Sequence, residues 1–293
     1  MVDTVGYGEN ETIASYVLKG DNSSALIDVG YSTTWQAVAQ GLSHFGIAPQ
    51  QVSHIFLTHF HLDHAGASSS LLKYLPNAKI VVHEKAIRHL IDPSKLVDGA
   101  RSAFGNLSTK IGGLDPIQPE RLEPARDEPY DLGGLTLHPL FTPGHAPSHL
   151  SFYTDNDTVF TGDAVCVKRK GLGFMVPAAS PPIYDVTAAL KSLELIQSMK
   201  PQRLLTPHYG EYPTTDFEFE NHKTAIQSWL DRISLKVDEG LNPQKITEFI
   251  VQSVLLKDLD SNRLDNFTRD VLLGALIKMT VEAYMSYLLS RKT

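Results

Sequence analysis

Residues 58–64 read Thr58-His59-Phe60-His61-Leu62-Asp63-His64, which crowds three imidazoles and a carboxylate into six residues. Such a set is costly to bury unless a cation binds among the side chains. The apolar run Ile55-Phe56-Leu57 precedes it and the small, helix-compatible run Ala65-Gly66-Ala67-Ser68 follows. This reads as a strand, a ligand-bearing loop and a helix. His59 and His61, two apart on an extended loop, can reach one ion together. Asp63 and His64, at the start of the next helix, turn toward a neighbouring position. Imidazole nitrogen and carboxylate oxygen suit zinc, iron or manganese better than calcium, which prefers all-oxygen shells. A histidine-rich surface run is the plainer alternative. It leaves unexplained why apolar Phe60 and Leu62 alternate with the histidines straight after a buried strand.

Further ligands stand where such a site needs them. The run Leu137-His138-Pro139-Leu140-Phe141 leads to Thr142-Pro143-Gly144-His145. Thr158-Val159-Phe160 leads to Thr161-Gly162-Asp163, and Arg203-Leu204-Leu205 to Thr206-Pro207-His208. Each strand releases a His or Asp at its C-terminal end, where a rigid element holds a ligand in place.

The pattern His-x-His-x-Asp-His at 59–64, followed in order by Gly144-His145, Gly162-Asp163 and His208, resembles the metallo-β-lactamase superfamily over roughly the first 215 residues. The resemblance implies an α/β fold, an αββα sandwich. It implies that His59, His61 and His145 bind one metal, that Asp63, His64 and His208 bind a second, and that Asp163 bridges them. The cofactors would be two divalent ions, zinc first, with iron or manganese accepted by the same ligands. The implied chemistry is hydrolysis by a metal-bridging hydroxide, with Asp63 as a ligand that also takes or orients a proton. The expected substrate is a small ester, thioester or lactone, as for the hydroxyacylglutathione hydrolases (glyoxalase II-like) and lactonases of the family.

Two other chemistries share the fold. One is phosphodiester hydrolysis of RNA. The spacing from Asp163 to His208 leaves no room for the large inserted domain of the superfamily's major RNA nucleases, so only small nuclease members fit. The other is oxygen chemistry at a single iron, as in the sulfur dioxygenases. Flavo-diiron members usually carry Glu where this chain has His61.

The elements that must position these residues follow from the pattern. Residues 12–18 and 24–29 read as strands joined by Lys19-Gly20-Asp21-Asn22. Residues 35–45 have helical spacing, and 53–57 form the strand before the ligand loop. A helix then runs to Leu75, 79–83 is a strand and 84–91 a helix, which implies parallel pairing. Residues 92–130 are rich in Gly, Pro and charge and read as a long surface loop or a lid. Strands alternate with turns over 131–164, a helix covers 187–199 and a strand 203–206. Beyond about residue 215 the helical stretches 218–240, 243–256 and 269–291 dominate. The expected division is a catalytic domain at 1–215 and a helical subdomain at 216–293. Leu272, Leu273, Leu276, Val281, Tyr284 and Leu288 share a helical face, read as core packing, with a homodimer surface as the alternative.

Asp28, after the strand Leu26-Ile27, is either a carboxylate that orients a ligand histidine or a turn cap. Thr58 is a loop brace, and His149 a structural residue or an orienting donor. His44, His54, His89, His138 and His222 lack ligand context, and His83 lacks the loop setting. Cys166 reads as a small buried residue. Phe174, Met175 and Tyr184 flank Pro181-Pro182 and either line a substrate cleft or pack a loop.

At 293 residues the chain can bury a full core, and one cysteine excludes an internal disulfide. The N-terminal residues lack a basic region followed by an apolar stretch, and no run of about 18 uninterrupted apolar residues occurs. These features point to a cytoplasmic protein without a membrane partner. A formal net charge of −7 argues against a dedicated nucleic-acid binder, while Lys168-Arg169-Lys170 leaves a local basic patch open. That run is read as an exposed loop, with a clamp for an anionic substrate tail as the alternative. The expected partner is a small molecule.

Overall fold

The computed structural model describes residues 1–168, 174–252 and 267–291. These fall into two compact units. The first comprises Met1–Phe141, Ser148–Gly162 and Pro201–Tyr212; the second comprises Thr142–Pro147, Asp163–Lys200 and the described part of Pro213–Thr293.

The first unit is built on two sheets, each of six strands among the described residues. One runs in the order Val2–Asp3, Ala14–Lys19, Ser24–Ile27, Val52–Phe56, Lys79–Val82, Leu122–Pro124. Its first two pairings are antiparallel and its last three parallel, with Ile55 opposite Ile80. The other runs Gly210–Tyr212, Arg203–Thr206, Thr158–Phe160, Leu150–Thr154, Thr136–Phe141, Tyr130–Asp131. In it only Thr158–Phe160 and Arg203–Thr206 are parallel.

Strand periodicity puts Ala14, Tyr16 and Leu18 on one face, and these join Ile27, Phe56 and Val81 in a buried cluster with Leu137, Phe152, Phe160 and Leu205 of the second sheet. The Phe56 ring lies 5.4 Å from that of Phe152 and 4.9 Å from that of Tyr130. This is sheet-on-sheet packing through interdigitated side chains.

Parallel direction is what gathers the site. Because Ser24–Ile27, Val52–Phe56 and Lys79–Val82 run the same way, the residues that follow them emerge at one edge. Asp28 follows the first, Thr58 and His59 the second, and His83 the third. Where the second sheet turns parallel, Thr161-Gly162 and Pro207-His208 emerge likewise. The Tyr16 hydroxyl donates to Thr206 O at 2.6 Å, and Ala14 N donates to Pro207 O at 2.8 Å, tying the His208 segment to the first sheet. Gly162 has φ 50°, and a Cβ there would lie 2.5 Å from His149 Nε2 and 2.7 Å from Thr58 Cβ. Only glycine permits that approach.

The second unit is mainly helical. Val186–Ser198, Asp216–Asp238 and Pro243–Ile250 start at side-chain caps from Asp185, Thr215 and Asn242. Phe267–Leu276 is wound as a π-helix and continues as the α-helix Ile277–Ser290. A short ribbon pairs Val167–Lys168 with Met175–Val176. Tyr284 is fully buried, packs against Tyr184 at 5.2 Å and donates to Ile226 O at 3.0 Å. Leu272 and Val281 are buried as well, so these three residues of the C-terminal apolar stripe serve packing, while Leu273, Leu276 and Leu288 are half-buried. Tyr184 is likewise a packing residue.

The structure revises several expectations. Residues 92–130 are not one loop, since helices span Ser94–Phe104 and Ser108–Ile111. Glycines at 99, 105 and 112 obscured them by lowering helix propensity. The helix after the ligand loop is two short ones, Leu62–Ala65 and Ser68–Tyr74. The expected helical continuation over 253–256 lies outside the described residues, as do Arg169 and Lys170 of the basic run. Lys168 is held by Glu218 at 2.6 Å. The segment Asp270–Ser290 is long and apolar enough to cross a membrane by length and composition, with half of its most apolar window buried inside the protein. An uninterrupted-run criterion misses it because Lys278 and Glu282 fall inside.

His222, fully buried, accepts a hydrogen bond on Nδ1 from Cys166 N at 3.2 Å. Burial lowers its pKa from 6.5 to about 4. The folded form therefore refuses a proton that the unfolded chain accepts. Its contribution is complete above pH 6.5 and is lost as pH falls toward 4, amounting to about 3 kcal/mol. In metal-free protein, the stability advantage of wild type over His222→Gln should shrink across that window, as read by urea unfolding at stepped pH. A flat difference would show that the imidazole is not held neutral.

Candidate metal centre

The site is best built outward from His64, which is fully buried on the first turn after the loop. Its Nδ1–H donates to Asp28 Oδ2 at 2.8 Å. Asp28 is 2 % exposed and also accepts from Thr58 N at 2.8 Å and from the Thr58 hydroxyl at 2.8 Å. Of the two readings of Asp28, orientation of a histidine is the one the geometry bears out. Its backbone at φ 48° is left-handed, a conformation Asp tolerates better than most residues. With the proton fixed on Nδ1, the lone pair of His64 sits on Nε2.

That Nε2 lies 3.6 Å from Asp63 Oδ2, and His208 Nε2 lies 3.6 Å from the same oxygen. The three ligand atoms fall within 4.8 Å of one another. A tetrahedral ion with bonds of about 2.1 Å separates its ligands by about 3.4 Å. The donor set and its spacing therefore fit a divalent cation.

His59 is fully buried and His61 partly so, and His59 Nε2 faces His61 Nδ1 at 3.0 Å. Thr58 Oγ1 lies 3.1 Å from His59 Nδ1. With Nδ1–H donating to that hydroxyl, His59 presents its Nε2 lone pair to His61. A proton or a cation between the two nitrogens satisfies both. Thr58 is thus a brace for two histidines at once.

In the second unit, His145 Nε2 lies 3.5 Å from Asp163 Oδ2, with both side chains nearly buried. His145 Nδ1 donates to Ala178 O at 2.8 Å, which puts its lone pair on Nε2. The segment carrying His145 is sewn to the helix Val186–Ser198. Ser192 Oγ donates to Pro143 O at 2.6 Å, and a Cβ on Gly144 would meet Ala189 Cα at 2.5 Å.

The structure thus gathers His59, His61, Asp63, His64 and His208 in one unit and sets His145 beside Asp163 in the other. His149 is buried with its ring 5.3 Å from that of His59. His83 Nδ1 accepts from Lys85 N at 3.1 Å and caps a helix. His89 stacks on Phe60 at 4.3 Å. Sequence reading missed a buried tyrosine pair, in which the Tyr31 hydroxyl donates to that of Tyr7 at 2.8 Å. Tyr7 has φ 59°, and burial, with the Asp63 charge as a lesser cause, raises its hydroxyl pKa. The sole local signal is an aromatic residue between Gly6 and Gly8.

Comparison with known proteins places this geometry. A family model described as the metallo-beta-lactamase superfamily matches residues 9–208, a span that includes all seven sequence-predicted ligands. ST1585 of Sulfurisphaera tokodaii, described as a metallo-beta-lactamase fold-containing protein, is 30% identical over 235 residues, covering 78% of this chain and 84% of its own. Its crystal structure matches with a TM-score of 0.64 at 28% identity, over 75% of this chain and 81% of that one. A metallo-beta-lactamase family protein of Thermus thermophilus, TTHA1429, shares the fold with a TM-score of 0.70 at 21% identity, over 96% of this chain and 89% of that one. The N-acyl homoserine lactonase AttM of Agrobacterium fabrum is 32% identical over 120 residues, 40% of this chain and 41% of its own.

Proposed function

Since this chain belongs to the metallo-β-lactamase superfamily, with an α/β sandwich and a helical C-terminal part, we propose that it is a dinuclear metal-dependent hydrolase of a small ester, thioester or lactone. The proposal assigns one ion to His59, His61 and His145, a second to Asp63, His64 and His208, and Asp163 to both. The observation that carries it is the Asp63–His64–His208 triplet, spaced for a cation and backed by the buried Asp28.

Divalent ions held by these residues would supply Lewis acidity and lower the pKa of water toward about 7. The protein's own contribution is orientation and proton handling. Asp28 and Thr58 fix which nitrogens His64 and His59 present. Asp63 has two carboxylate oxygens, so one can serve as a ligand while the other accepts a proton. Its side chain is 24% exposed, so it is the most accessible residue of the Asp63–His64–His208 triplet.

An acyl substrate is favoured over a phosphodiester on two grounds. One partial relative is named as a lactonase, and a net charge of −7 disfavours a polyanion. Zinc is the proposed metal, because imidazole and carboxylate ligands suit it.

The test is metal analysis of reconstituted protein followed by a panel of lactone, thioester, β-lactam and labelled RNA substrates. Two zinc per chain with turnover of a lactone or thioester is expected. One iron per chain with oxygen consumption, or turnover of RNA alone, would overturn the proposal.

A further inference from the structure

The Asp163 and His145 side chains are joined by a second route, through the ribbon of the helical unit. The strand Val167–Lys168 begins four residues after Asp163, and the residues between, Ala164, Val165 and Cys166, are all buried. Its partner strand Met175–Val176 leads directly to Pro177 and Ala178, whose carbonyl holds His145 Nδ1 at 2.8 Å. One end of the ribbon therefore carries Asp163 and the other fixes His145.

Helix Asp216–Asp238 grips this ribbon at two positions one turn apart. Glu218, 5 % exposed, accepts from Lys168 Nζ at 2.6 Å. His222 accepts from Cys166 N at 3.2 Å, and the Cys166 thiol lies 3.6 Å from His222 O. A partly buried charge-assisted bond to a buried carboxylate and a buried imidazole acceptor are more than a surface loop needs for packing alone. Thr280 of the last helix adds a weaker bond to Pro177 O at 3.4 Å.

We propose that Glu218 and His222 are positioning residues, through which helix Asp216–Asp238 fixes Asp163 and His145 for metal binding. The inference rests on the assignment of Asp163 and His145 as ligands. It gives the helical tail a role in the metal centre without any direct contact to an ion. Residues that orient ligands typically govern 10–100-fold in metal affinity.

The test is stepwise removal of zinc from reconstituted full-length protein by graded chelator, with bound zinc counted at each step and melting followed in parallel. Wild type and Asp163→Ala come first. If wild type holds no zinc, or Asp163→Ala holds as much as wild type, the ligand assignment fails and the inference with it. If that control passes, Glu218→Gln, Lys168→Met and His222→Gln are compared. Each should release the His145-bound equivalent at a chelator concentration at least 10-fold lower than wild type, while the equivalent held by Asp63, His64 and His208, which shares only Asp163, is loosened less. Lys168→Glu should behave alike, and adding Glu218→Lys to it should restore retention, a rescue that loss of packing would not give. Wild-type retention of both equivalents in any folded Glu218 or His222 variant would overturn the proposal.

Discussion

Replacing Asp63 by Asn should lower kcat by about 10³-fold while KM changes by only a few-fold. Asparagine keeps the shape of the side chain and one oxygen able to face His64 and His208, both of which lie 3.6 Å from Asp63 Oδ2 in the native protein. It removes the charge and the proton acceptor. If Asp63 only held an ion, the variant would show reduced metal content and recover with added zinc. If it also handles a proton in the reaction, the loss in kcat persists with both ions bound. Steady-state kinetics with metal content measured on the same samples distinguishes these outcomes. A fully loaded variant with near-normal kcat would refute the role.

Asp28→Ala should be the most damaging substitution away from the proposed ligands. The carboxylate is buried and accepts from Thr58 N, Thr58 Oγ1 and His64 Nδ1. Truncation strands these donors where water cannot replace the acceptor, and removing one partner of such a buried arrangement costs about 3 kcal/mol or more. It also releases the His64 tautomer, so zinc affinity should fall by about 10–100-fold. Asp28→Asn should be intermediate, because its one oxygen cannot serve Thr58 and His64 together. Denaturant unfolding of the metal-free protein measures the first effect and chelator competition the second. Unchanged zinc affinity in a folded Asp28→Ala variant would show that Asp28 is merely a turn residue.

The amino-acid sequence by itself determined the cluster of candidate ligands and the strands that carry it. That information is local. Ile55-Phe56-Leu57 before His59, Val159-Phe160 before Asp163 and Leu204-Leu205 before His208 are short apolar runs ending in polar punctuation, and each folds as read. The parallel order followed from alternating strands and helices, which is why the sheet edge that collects Asp28, Thr58 and His59 was foreseeable. The helices at 94–111 were not, because their glycines erase the periodic signal while tertiary contacts still stabilise them.

The choice of partner was decided by tertiary structure. Asp28 meets His64 across 36 residues, Tyr7 meets Tyr31 across 24, and His222 reaches Cys166 across 56. Propensity and periodicity act within a few residues, whereas the orientation of a buried imidazole depends on which distant carboxylate or amide the closed chain brings to it. The kinds of side chain that could hold a cation are written in the order of the residues. The proton positions that would let those side chains take a cation exist only once the sheets and helices have packed.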